Sequence, residues 1–111
     1  MGQRLPEPAV ESIELTAVLS ALADPTRRAL MGALHRSDGP RDCATLDRSV
    51  ASGLSAPTLS HHYKVLRESG LTRTVAEGRS RIISVRRDDM EERFPGLLAA
   101  VLGAPVDNSA S

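Results

Sequence analysis

Two aromatic residues, Tyr63 and Phe94, are all that this chain of 111 residues contains, and it has no tryptophan. Its core must therefore be aliphatic, and the stacking platforms that hold single-stranded nucleic acid are missing. Cysteine is nearly absent too. Cys43 stands alone, which excludes an intrachain disulfide and any cysteine-rich zinc module. No apolar run approaches the roughly 18 residues of a membrane span, and no apolar signal region follows the N-terminus. An excess of one sign of charge is missing as well, with Lys plus Arg at 14 and Asp plus Glu at 14. That excludes a polybasic protein held to nucleic acid by bulk charge, and equally an acidic solvating chain. What remains, 41% hydrophobic and 25% charged, is ordinary globular composition, and the expectation is one soluble, cytoplasmic domain.

The neutral total conceals a pattern. Residues 1–24 sum to −3, residues 25–54 to +2, residues 55–87 to +5 and residues 88–111 to −4. A basic block between acidic ends suits a local phosphate-binding face, because only the surface that touches a polyanion needs cations. The plainer alternative is a solvated basic surface paired with the acidic ends. All the cations but Lys64 are Arg, which GC-rich codons alone would explain.

The order of elements gives that block a place. Residues 1–10, with Pro6 and Pro8, are expected as a flexible or extended N-terminal segment, and 103–111 as a flexible polar tail. Between them, 11–102 should form the domain. Apolar positions Ile13, Leu15, Val18, Leu19 and Leu22 recur at helical spacing. Asp24-Pro25 starts a second helix, the Asp as N-cap and the Pro at the first position, where no N–H is needed. A third, short helix spans about 42–51, and a fourth runs from 56 to 69 with Ser55 as N-cap and Gly70 as its stop. The period then changes from 3.6 to 2: 71–76 and 81–86 read as strands of a hairpin turning at Glu77-Gly78-Arg79-Ser80. A last helix over 88–102 should kink at Pro95, or begin near Phe94.

Helices followed by a two-stranded hairpin make the winged form of the helix–turn–helix, a mainly α fold of order α-α-α-α-β-β-α. Such a fold reads duplex DNA with one helix that is greasy on one side and carries short polar side chains on the other. On the fourth helix Leu59, His62, Tyr63 and Leu66 share one face, and Thr58, His61 and Lys64 lie off it. Ser55, Thr58, Ser60, His61 and Lys64 are the candidate groove contacts, and Arg67 is counted with them. Arg79 and Arg81 at the hairpin tip are placed to reach the neighbouring backbone or minor groove. The plainer readings are a hydrogen-bonded core residue for His62, a surface residue for His61, and a ring packed under the hairpin for Tyr63. Arg27 and Arg28 either bind phosphate or simply solvate the second helix.

Three segments resemble the ArsR/SmtB family of bacterial repressors: Leu22-Ala23-Asp24-Pro25-Thr26-Arg27-Arg28, the run from Leu54 through Ser60-His61-His62 to Leu66-Arg67-Glu68-Ser69-Gly70-Leu71, and Glu77-Gly78-Arg79. The resemblance spans about 13–102. It implies a homodimer joined through the first and last helices, one recognition helix per subunit, a double-stranded operator, and altered binding when an effector is sensed. Many members sense metals through a Cys pair before the recognition helix, where this chain has Cys43 alone, so a soft thiolate site is not expected. Others use Asp and His on the last helix, where Asp88, Asp89, Glu91 and Glu92 stand without a following His. Carboxylates plus His35 would suit nickel or zinc as an effector; the alternatives are a metal-free repressor and one that senses a partner regulator protein. His61 and His62 are about 100° apart on a helix and do not easily share an ion. Cys43 reads otherwise as a small hydrophobe. No nucleophile elbow, phosphate loop, HExxH or paired-carboxylate cleft occurs, so no enzyme is expected.

Overall fold

The computed structural model describes residues 2–37 and 39–103. Strand β1 (Gln3–Arg4) and a short 3-10 turn (Val10–Ser12) precede helices α1 (Leu15–Ala23) and α2 (Pro25–Arg36). Strand β2 (Arg41–Asp42) leads into α3 (Cys43–Val50) and α4 (Ala56–Glu68). The hairpin β3 (Thr72–Glu77) and β4 (Ser80–Val85) follows, then α5 (Arg87–Arg93) and α6 (Leu97–Leu102).

Local chemistry places the boundaries. Asp24 accepts a hydrogen bond from the Arg27 N–H at 3.0 Å, Asp42 from Ala44 at 2.9 Å and Ser55 from Thr58 at 3.3 Å, each satisfying an orphan donor of its helix. The end of α4 is a Schellman turn: Gly70 N–H donates to the Arg67 carbonyl and Leu71 N–H to that of Leu66. Gly70 sits at φ +92°, and a Cβ there would come within 2.6 Å of Ile13, so both backbone and packing require glycine. Gly78 at φ +61° and Arg79 at negative φ give the two-residue turn the signs of type II′.

The winged helix–turn–helix expected from the period change is the fold, with two strands more than the hairpin supplied. The sheet runs β1-β3-β4-β2, all neighbours antiparallel. Gln3 and Arg4 pair with Ala76 and Val75, so of the two alternatives for the first residues, flexible or extended, these two take the extended one, as an edge strand along the wing. Two-residue strands carry no readable alternation; only the presence of an open sheet edge makes them strands. The last helix is a second correction. It is two helices, because Pro95 cannot donate and Gly96 at φ +83° turns the chain between them. Of the expected tail at 103–111, residues 104–111 lie outside the described residues.

The core is aliphatic, as two aromatics require. Val18, Leu30, Met31, Leu34, Leu46, Leu66, Leu71, Ile83, Met90 and Leu98 are buried together, with Tyr63 and Phe94 at its margin. The inner face of α4 thus rests on α1, α2 and the sheet, and its other face is left to solvent.

Candidate nucleic-acid interface

Burial of Leu59 and Leu66 fixes the rotation of α4, and that rotation exposes Thr58, Ser60, His61 and Lys64. The rod is further clamped from below. The His62 Nδ1 accepts from the Arg27 guanidinium at 3.2 Å, so His62 is hydrogen-bonded as its apolar face implied, but half-buried at the margin and not in the core. Arg27 also donates to the Ala21 carbonyl at 2.8 Å, and Arg28 to that of Leu22 at 2.9 Å. Both arginines cap the C-terminal carbonyls of α1, where a cation also meets the negative end of the helix dipole. Their guanidinium groups therefore serve the α1–α2 corner rather than solvating α2. Tyr63 donates its hydroxyl to the Asp47 carboxylate, which joins α4 to α3 and, with burial, holds the phenol well above its ordinary pKa.

The outward side is differently built. Ser55 accepts from the Thr58 N–H and donates to the Thr58 hydroxyl at 2.8 Å, so Ser55 is mainly the cap and Thr58 keeps its own O–H to donate. Ser60, His61 and Lys64 make no side-chain hydrogen bond or ion pair among the described residues. Arg79 in the turn and Arg81 at the start of β4 are exposed, likewise without an acidic partner among the described residues. Arg67 differs from the others: it is half-buried, with its Nε enclosed and unpaired. Lys64, Arg67 and Arg81 border one cleft between α3, α4 and the wing. The candidate contacts therefore form two exposed groups, the N-terminal half of α4 and the wing tip, with Arg67 recessed between them.

An exposed polar helix face thus stands beside a hairpin tip that carries two exposed arginines. A helix-turn-helix domain family matches residues 22–75. The uncharacterized HTH-type transcriptional regulator YceK of Bacillus subtilis is 32% identical over 81 residues, 73% of this chain and 79% of its own. Among solved structures, an ArsR family transcriptional regulator superposes with TM-score 0.64 at 30% identity, covering 78% of this chain and 90% of that one. The chain belongs to the ArsR family of winged helix–turn–helix transcriptional regulators. NolR from Sinorhizobium fredii is similar at TM-score 0.58 and 28% identity, over 80% of this chain and 84% of its own. The transcriptional repressor BigR from Xylella fastidiosa, at 24% identity and TM-score 0.57, shares the fold over 78% of this chain and 84% of its own. Helix–turn–helix transcriptional regulators are a non-enzyme class. No described helix is long and apolar enough to cross a membrane.

Among the described residues no three His, Cys, Asp or Glu side chains are grouped to hold an ion. His35 is buried, its Nδ1 accepting from Arg87 at 2.7 Å and its Nε2 donating to the Gly103 carbonyl at 2.9 Å, so both ring nitrogens are in use. Burial and the Arg87 charge push its pKa down, favouring the neutral ring. Burial, with Asp47 and Asp42 nearby, pushes the Cys43 thiol up to about 12, so the thiolate a metal needs is disfavoured.

What pattern reading missed is the N-terminal clamp. Glu7 takes a bidentate pair from Arg73, Nε at 2.9 Å and Nη2 at 2.8 Å, and lies 3.4 Å from Arg86. Arg86, almost wholly buried, also binds Asp89 at 2.9 Å and the Pro8 carbonyl at 2.8 Å. A carboxylate 66 residues from its partner leaves no periodic signal.

Proposed function

We propose that this regulator represses transcription as a homodimer, each subunit laying α4 in the major groove of a double-stranded operator with its wing on the adjoining backbone. In this reading Thr58, Ser60 and His61 meet base edges, Ser55 caps and orients the helix, and Lys64, Arg67, Arg79 and Arg81 bind phosphates. The observation that carries it is the exposed polar side of α4, where Ser60, His61 and Lys64 are unpaired among the described residues, beside the exposed cations of the wing tip. Dimerisation is supported by apolar side chains left in water on the terminal helices. Leu15 and Leu19, one turn apart on α1, are each 46% exposed, and Val101 of α6 is 37% exposed. Acting on the chromosome of a bacterial cell, such a protein works in the cytoplasm.

Anisotropy of the purified protein on selected and on random duplexes tests the proposal. Specific binding should be tighter than random binding by at least about a thousandfold and should fall steeply with salt. Equal affinity for every duplex, or none, would favour a module that binds another regulator and reads no DNA itself. Sedimentation should give a dimer for the wild type and a monomer for Leu15→Glu/Leu19→Glu; a wild-type monomer would overturn the two-fold arrangement.

A further inference from the structure

The cleft between α3, α4 and the wing encloses about 550 Å³, within the span of about 300–1,000 Å³ usual for small-molecule sites. Its charge is one-sided. Lys64 and Arg67 from α4 and Arg81 from β4 line it, against the single carboxylate of Asp47. That carboxylate already accepts the Tyr63 hydroxyl. Ala56, Leu59 and the Tyr63 ring supply an apolar portion of the lining.

Two residues of this lining carry a buried polar atom with no partner among the described residues, Arg67 at Nε and Thr74 at Oγ1. Thr74 is only 2% exposed. Buried polar groups are almost always hydrogen-bonded, so two orphans in one cationic cleft mark a place where an acceptor belongs. A third orphan, the Thr72 Oγ1, does not line the cleft and adds nothing to the case.

We propose that this cleft binds a small organic acid. Its carboxylate is held by Arg67, Lys64 and Arg81 and accepts the Thr74 hydroxyl, and its apolar body lies on Leu59 and Ala56. A DNA phosphate is the other source of the same anionic chemistry. It fits the exposed Lys64 and Arg81, but it has no apolar body to cover Ala56 and Leu59 of the lining. The occupant would touch α4 and the wing together and would engage three of the cations assigned to phosphates, so it lowers the affinity for DNA. By linkage, DNA lowers affinity for the acid by the same factor. This effect on DNA rests on the proposed function; binding of the acid does not.

The test titrates the full chain without DNA, by calorimetry, with benzoate and hexanoate at up to millimolar concentration. Benzamide, hexanamide and inorganic phosphate serve as controls. At least one acid should bind saturably, one per protomer, and its amide should not. Thr74→Val, which replaces an unpartnered buried hydroxyl with a methyl group and so should fold, should weaken that acid roughly tenfold. Arg67→Met, checked for folding by circular dichroism, should remove binding. No saturable binding of either acid overturns the proposal. So does phosphate binding as well as the acids with no loss in Thr74→Val, since the cleft is then only part of a backbone contact. With duplex present, saturating acid should weaken DNA binding by wild type but far less by Thr74→Val; unchanged affinity in wild type refutes the coupling. Failure to bind any duplex would instead refute the DNA-binding reading and leave the acid titration standing.

Discussion

The seven cations between residues 55 and 87 fall into two populations that the sequence does not distinguish. At the base of the wing Arg73, Arg86 and Arg87 are committed inside the molecule, to Glu7, Asp89, the Pro8 carbonyl and His35. On α4 and toward the wing tip Lys64, Arg67, Arg79 and Arg81 meet no carboxylate within 4 Å among the described residues. The first group holds the wing to the N-terminal segment and to α5, and α5 to α2. The second is free to meet a polyanion. A charge sum over the segment therefore overstates what DNA can use, and it hides a clamp that a neutral residue would not replace.

Substitution can separate the two groups. The largest effect is expected at the clamp: Glu7→Gln leaves the nearly buried Arg86 short of countercharge and should cost about 3 kcal/mol in urea unfolding. Lys64→Ala should do the reverse, changing stability by less than about 0.5 kcal/mol while lowering the log–log salt slope of DNA binding by about 0.9. If Glu7→Gln also lowered that slope to the same extent with stability intact, the division between the two populations would fail. Next in size is discrimination among bases. Thr58→Ala or His61→Ala should reduce the preference for the best operator by about 1–3 kcal/mol at its contacted position, with little change in salt slope.

Protonation provides the smallest and most specific effects. Hydrogen bonds from Arg73, with the charges of Arg73 and Arg86, hold the Glu7 carboxyl below its ordinary 4.5. A lowered pKa means the unfolded chain takes up the proton first. The stabilisation is thus complete above about pH 4.5 and is lost as pH falls toward the folded value. The gap in stability between wild type and Glu7→Gln should shrink over that window. His35 is also shifted downward, from 6.5, because burial and Arg87 disfavour its charged form. The unfolded chain again protonates first, so stability should begin to fall as pH drops below about 6.5. His35→Gln, whose amide can both accept from Arg87 and donate to Gly103, should flatten this part of the profile.

Much of the α-helical part was legible because its signals are local. Caps at Asp24 and Ser55, the Gly70 stop and the spacing of Leu59, Tyr63 and Leu66 each act within one or two turns, and each sits where the pattern put it. His62 was readable as a bonded residue on the inner face, but its partner Arg27 was not, being 35 residues away. The two short strands were illegible for a related reason. Gln3–Arg4 and Arg41–Asp42 have no period of their own and become strands only by pairing with β3 and β4. The recessed position of Arg67 was equally hidden, since helical spacing gives its angle around the axis and not what stands opposite.

Sequence alone determined that α4 would be a helix with an aliphatic side and a polar side, and that a hairpin would follow it, because those outcomes depend on neighbours three or four positions away. Tertiary structure alone decided which cations remain free, what holds the wing at its base, and that two polar atoms would be enclosed beside a cationic cleft. Those facts depend on groups distant along the chain meeting in space, and the periodicity of any one segment carries no record of the segment packed against it.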